Sequence, residues 1–66
     1  MATMRVNGEE IPLLPTVAAL MQQKGIPPRR GVAVALNGAV VPASAWHSAQ
    51  IAPGDEIEIV RPFGGG

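Results

Sequence analysis

The chain has 66 residues, five basic and five acidic, a formal net charge of zero and no cysteine. That describes one small domain, which buries only about 60% of the surface its unfolded chain exposes. Disulfides, thiolate metal sites and a cysteine nucleophile are excluded, and a balanced charge with no long basic run gives nucleic-acid binding little electrostatic support.

Met4-Arg5-Val6 alternates apolar and polar residues and runs into Asn7-Gly8. Both members of that pair tolerate positive φ, which makes it a strong turn signal. The expected first element is a hairpin, residues 3–7 against 10–14. Pro12 places its second strand at a sheet edge, where a missing N–H costs nothing. Thr16 is an acceptable N-cap. Behind it Val17, Leu20, Met21 and Lys24 fall at i, i+3, i+4 and i+7, the spacing of an amphipathic helix of about two turns. Gly25 supplies the left-handed stop and Pro27-Pro28 prevents continuation. Arg29 and Arg30 follow in a loop, read as a solvated turn or as a contact for an acidic partner.

Val32-Ala33-Val34-Ala35-Leu36 is apolar on both faces, the pattern of a central strand. The longest apolar run, Gly31 to Leu36, is far too short to span a bilayer. Asn37-Gly38 closes a second hairpin, of type I′, onto Ala39-Val40-Val41, and Pro42 ends it. Ser44 is expected to cap a single turn containing Ala45, Trp46 and His47. Trp46, the only tryptophan, reads as a plug at a core edge. His47 has no second ligand-type residue nearby and reads as a surface residue, so no metal is expected. Ile51 tucks under the sheet, and Pro53-Gly54 fits the centre of a type II turn.

Glu56-Ile57-Glu58-Ile59-Val60 alternates with period two, as a half-buried strand does. It has no close partner for a hairpin. The economical closure puts it in the sheet centre, parallel to the first strand, with the helix covering one face. The expected fold is therefore α+β: a β-grasp, or ubiquitin-like, domain with a mixed sheet of four to five strands and one main helix. In that order the third and fifth strands are neighbours. Ala33, Ala35 and Val60 then form a small apolar patch on the face opposite the helix, a candidate partner-binding surface.

After Arg61-Pro62 the chain ends in Phe63-Gly64-Gly65-Gly66. Glycine loses more backbone freedom on ordering than any other residue. The expected organisation is a folded domain over residues 1–62 and a flexible glycine tail over 63–66. Extended, the tail reaches roughly 13 Å at about 3.3 Å per residue. A carboxylate flanked only by glycine can thread a channel that any β-carbon would block. The reading that follows makes the Gly66 carboxylate the reactive group, with Phe63, Gly64 and Gly65 presenting it.

The chain resembles the ThiS family, the sulfur carriers of thiazole (thiamine) biosynthesis. Gly31-Val32-Ala33-Val34-Ala35-Leu36-Asn37-Gly38, followed by Val40-Val41-Pro42 and Trp46, is similar to the family's middle hairpin and the tryptophan after it. Pro53-Gly54-Asp55-Glu56-Ile57-Glu58-Ile59-Val60 resembles its last turn and strand, and Gly65-Gly66 its terminal pair. Gly64 is an extra glycine before that pair and loosens the arm, which leaves Phe63 as its anchor.

The resemblance implies an E1-like adenylyltransferase that joins the Gly66 carboxylate to AMP. Sulfur from a persulfide donor then gives a thiocarboxylate, which passes to thiazole synthase. Nothing in the sequence could perform the activation: there is no P-loop, nucleophile–base pair or metal cluster. The chain is expected to be a substrate and not an enzyme, to need no cofactor, and to work in the cytoplasm, since its N-terminus lacks a charged segment followed by an apolar one. Fold alone leaves other readings open: a carrier for molybdopterin synthase, tRNA thiolation or cysteine synthesis, a modifier joined to lysines, or an interaction module with an inert tail.

Overall fold

A computed structural model of the chain describes residues 1–62. Strands β1 (Thr3–Val6) and β2 (Glu9–Pro12) are followed by helix α1 (Val17–Lys24). Strands β3 (Ala33–Leu36) and β4 (Ala39–Val40), a 3-10 turn (Ala43–Ala45) and strand β5 (Glu56–Val60) complete the order. The five strands form one mixed sheet in the order β2-β1-β5-β3-β4. The last strand lies in the middle, parallel to β1 and antiparallel to β3. The expected β-grasp arrangement is the one observed.

Both Asn-Gly pairs make the turns their chemistry favours. Asn7 and Gly8 sit at φ 51° and 84°, Asn37 and Gly38 at 50° and 85°. Two consecutive positive φ values match the right-handed twist of the flanking strands. Pro12 lies in β2, an edge strand, as its missing donor requires. At the last turn Gly54 has φ 84° and the Asp55 N–H bonds the Ala52 carbonyl at 3.0 Å, a type II geometry.

Helix α1 begins at Thr16, whose hydroxyl accepts the Ala19 N–H at 3.1 Å. It ends at Gly25, left-handed at φ 71°. Val17, Leu20 and Met21 are buried against Met4, Val6, Val34, Ile57 and Ile59, the residues that point inward from the sheet. Trp46 closes the side of this core and donates its indole N–H to the Val41 carbonyl at 3.1 Å. Ile51 is buried with them, and His47 is exposed.

Several local expectations differ from the observed fold. The first hairpin is shorter than residues 3–7 against 10–14, because β2 ends at Pro12; Leu13 keeps one bond, to the Ala2 carbonyl at 3.1 Å. Lys24 has the spacing of the buried face but is exposed, being the final residue of the helix. Ile26, just past the glycine stop, fills the core there instead. Ser44 does not cap the 3-10 turn: Pro42 holds the cap position and no side chain bonds there.

Candidate functional site

Period-two alternation sends Ile57 and Ile59 to the core and turns Glu56, Glu58 and Val60 to the other side of the sheet. Val34 faces inward from β3 in the same way, leaving Ala33 and Ala35 on the outer face. In the observed register Ala33 stands opposite Val60, and Ala35 stands opposite Glu58 on one side and Val40 on the other. The three residues of the expected patch thus share one face, away from the helix. Val40, which sequence reasoning passed over, joins them: it is 76% exposed and Val60 is 61% exposed. Valines so open to water in a 66-residue chain are the unburied part of its apolar surface. The signal for Val40 was the I′ turn itself, which sets Ala35 against Val40.

The patch lies at the downstream end of β5, where the chain leaves the sheet for the tail. Two contacts fix that exit. The side-chain amide of Asn7 accepts the Ile59 N–H at 2.8 Å and donates to the Ile59 carbonyl at 3.2 Å. Farther on, Gly31 adopts φ 89°, and a β-carbon there would stand 2.6 Å from the Pro62 Cγ. Glycine at 31 is therefore required twice, by its backbone angle and by the proline lying against it.

At the upstream end of β5 a second asparagine acts in the same way. The Asn37 side chain accepts the Glu56 N–H at 2.9 Å and donates to the Asp55 carboxylate at 3.1 Å. That carboxylate also accepts the Ala52 N–H at 2.8 Å. The Ala52 N–H, and after it the Asn37 amide, hold the Asp55 carboxyl below its ordinary pKa, against a weaker upward push from burial.

Among the described residues no group of three or more His, Asp or Glu side chains stands close enough to hold a metal ion. The expected reactive group, Gly66, and the presenting residues Phe63, Gly64 and Gly65 lie outside the described residues. What the folded body contributes is a central strand, clamped at both ends, that delivers the chain to position 62 beside an exposed apolar face.

No curated protein matches the sequence. Among solved structures the fold is similar to the crystal structure of the thiamine biosynthesis protein ThiS from Geobacter metallireducens. The two share 26% identity at a TM-score of 0.76, over 97% of this chain and 99% of that one. The ThiS family model matches residues 3–66, nearly the whole sequence and the glycine tail with it, so the chain belongs to the ThiS family, the small sulfur carriers of thiamine biosynthesis.

Proposed function

We propose that this protein carries sulfur for thiazole formation as a thiocarboxylate on Gly66. The observation that carries the reading is the match of the ThiS family through the terminal glycine, on a chain whose central strand leads straight toward that tail. A free α-carboxyl has a pKa of about 3.5 and is ionised near neutrality, which makes it a nucleophile but a poor electrophile. An E1-like adenylyltransferase would let a Gly66 carboxylate oxygen attack the α-phosphorus of ATP, with pyrophosphate leaving. The terminal sulfur of a persulfide donor then displaces AMP from the acyl carbon. A thiol cleaves the resulting acyl disulfide and leaves the thiocarboxylate, which donates its sulfur to thiazole synthase. The chain is a substrate in these steps and supplies no catalyst. Ala33, Ala35, Val40 and Val60 give the activating enzyme an apolar face to dock on, and Phe63, Gly64 and Gly65 thread the carboxylate into its active site. The described residues contain no helix long and apolar enough to cross a membrane, and the reading places the protein in the cytoplasm with its ATP-dependent partner.

The test is intact mass after incubation with ATP, the activating enzyme and a persulfide donor. A gain equal to sulfur minus oxygen, absent when Gly66 is deleted, is the expected result. The deletion should leave the melting temperature unchanged. Attachment to lysines of other proteins would mark a modifier instead, and an unchanged mass would leave an interaction module.

A further inference from the structure

The chain is neutral overall, yet its charges are sorted by position. Four of its five basic residues, Lys24, Arg29, Arg30 and Arg61, belong to segments that meet where the chain leaves the sheet. Lys24 and Arg61 line one cleft with Asn7, Gln23, Ile26 and Ile59. Arg29 and Arg61 line the adjoining one, together with Ile26 and Pro62. Arg30 is bound into the same turn, because the Val32 N–H bonds the Arg29 carbonyl at 3.1 Å and Gly31 packs on Pro62. None of the five acids lines either cleft: Asp55 is bonded to Asn37 and Ala52, and Glu58 stands opposite Ala35 on the outer face of the sheet, the other side from Ile59. Glu10 and Glu56 are level with Arg5, and Glu9 with Val6, at the upstream half of β5. Arg5, the fifth cation, is 4.0 Å from Glu56 in the one ion pair among the described residues. Lys24, Arg29, Arg30 and Arg61 have no ion-pair partner among those residues.

A run of like charge left uncompensated around one point repels itself and is stabilised only by opposite charge from outside. Here that point is the root of the segment whose end must enter another protein. We propose that Lys24, Arg29, Arg30 and Arg61 form a basic collar that seats on a carboxylate-lined rim around the mouth of the activating enzyme's channel, steering the tail into it. The inference rests on the carrier reading above and adds a division of labour to it. The apolar face supplies contact area, and the collar supplies approach direction and rate. Lys24, Arg29 and Arg61 line clefts that also hold Ile26, and long arginine and lysine side chains there can extend to such a rim.

The experiment is ATP–pyrophosphate exchange by the activating enzyme, with carrier concentration varied at several salt concentrations. Lys24→Gln/Arg29→Gln removes two charges from the collar. Ala2→Asp/Gln50→Asp makes the same change in net charge at exposed positions, Ala2 beside Leu13 and Gln50 beside Thr16 at the start of α1, the end opposite Lys24. Melting temperatures establish that both variants fold. At low salt the collar variant should lose about tenfold or more in kcat/KM, the scale of electrostatic steering, with kcat at saturation unchanged. The gap should close to about twofold near 0.5 M salt, where the Debye length is only a few Å. The control pair should lose clearly less than the collar variant at low salt and stay within about twofold of the parent at about 0.15 M, where a Debye length of about 8 Å screens charges away from the contact. A collar variant that matches the parent at low salt, a loss equalled by the control pair, or a loss indifferent to salt overturns the collar while leaving the carrier reading intact. Absence of exchange with the unchanged protein overturns the carrier reading, and the collar with it.

Discussion

The Asn7 side-chain amide bonds both the N–H and the carbonyl of Ile59, 52 residues away in sequence. It extends the parallel β1–β5 ladder beyond the last strand residue of β1, after the Asn7 backbone N–H has bonded the Ile57 carbonyl at 2.9 Å. One residue thus makes the hairpin turn and holds the end of the strand that delivers the tail. Asn7→Gly keeps the positive φ and removes both side-chain bonds. It should cost about 1–3 kcal/mol, the net worth of two bonds to half-buried backbone. Asn7→Ala should cost about 1 kcal/mol more, because alanine must also adopt the left-handed conformation. Urea unfolding of the two variants checks this, and a glycine variant as stable as the parent would show the clamp to be idle.

The Asp55 carboxyl gives a pH signature at the other end of β5. Its folded pKa is lowered by the Ala52 N–H and by the Asn37 amide. A lowered pKa adds stability that is fully present above the ordinary aspartate value of about 3.9 and is lost as pH falls through the folded value. Titration of the Asp55 carboxyl carbon by NMR should show a midpoint below that value. In Asn37→Gly, which keeps the turn, the midpoint should rise but stay depressed, since the Ala52 N–H remains. A midpoint indifferent to Asn37 would contradict the bond.

Much of this architecture was legible in the sequence, and the reasons are local. Asn-Gly at 7–8 and 37–38, Thr16 before the helix and Pro53-Gly54 each act within four residues, so their chemistry could be read without a fold. Ile57 and Ile59 announced a half-buried strand through their spacing alone. What escaped depends on contacts made after folding. Asn7 reads as a turn residue because nothing nearby shows that Ile59 will lie against it. Ile26 was hidden behind the glycine that stops the helix, and Lys24 kept the helical spacing one turn past the core. Ser44 has the right chemistry for a cap, but Pro42 already sets the extended entry to that turn. The patch residues Ala33, Ala35 and Val60 followed from strand order, and Val40 was within reach of the same reading, since the two-residue turn at 37–38 sets it against Ala35. The Gly66 chemistry comes from sequence and family alone.

Among the described residues, Gly31 is predicted to be the glycine whose replacement costs the most stability. Gly31→Ala must hold alanine at φ 89° and push a methyl group into Pro62. The expected loss is about 1–3 kcal/mol, part backbone strain and part steric. Adding Pro62→Ala should recover the steric share and leave the strain, so the double variant is more stable than Gly31→Ala. Thermal unfolding of the three variants resolves the two shares as a double-mutant cycle. Strict additivity would mean that Gly31 and Pro62 do not press on each other.

Trp46 should be structural and readable by its own fluorescence, as the only tryptophan in the chain. Trp46→Phe keeps most of the apolar volume and deprives the Val41 carbonyl of its indole donor. An unpaired buried acceptor costs about 1–3 kcal/mol. Trp46→Ala also leaves a cavity and should cost about 3–5 kcal/mol, a large share of the stability of so small a domain. Because the outer sheet face is untouched, the phenylalanine variant should still be adenylated at the parent rate well below its melting temperature. A rate loss without a stability loss would move Trp46 into the partner interface.

The outer face itself is tested by arginine at Ala35 and, separately, at Val40. Both residues face away from the core, so the melting temperature should change little. The carrier's KM in adenylation should rise about tenfold or more for each, because a charge placed in an apolar contact costs at least the ~1.4 kcal/mol that tenfold represents. Salt separates this effect from the collar's. Losing an apolar contact weakens binding at every ionic strength, whereas losing the collar matters only where charges are unscreened. Normal adenylation of a folded Ala35→Arg protein would remove the face from the docking surface. A normal rate for Val40→Arg alone would confine the contact to β3 and β5. The expected pair of losses would place the enzyme across β4 as well, the strand that the sheet order sets at the edge beside Ala35.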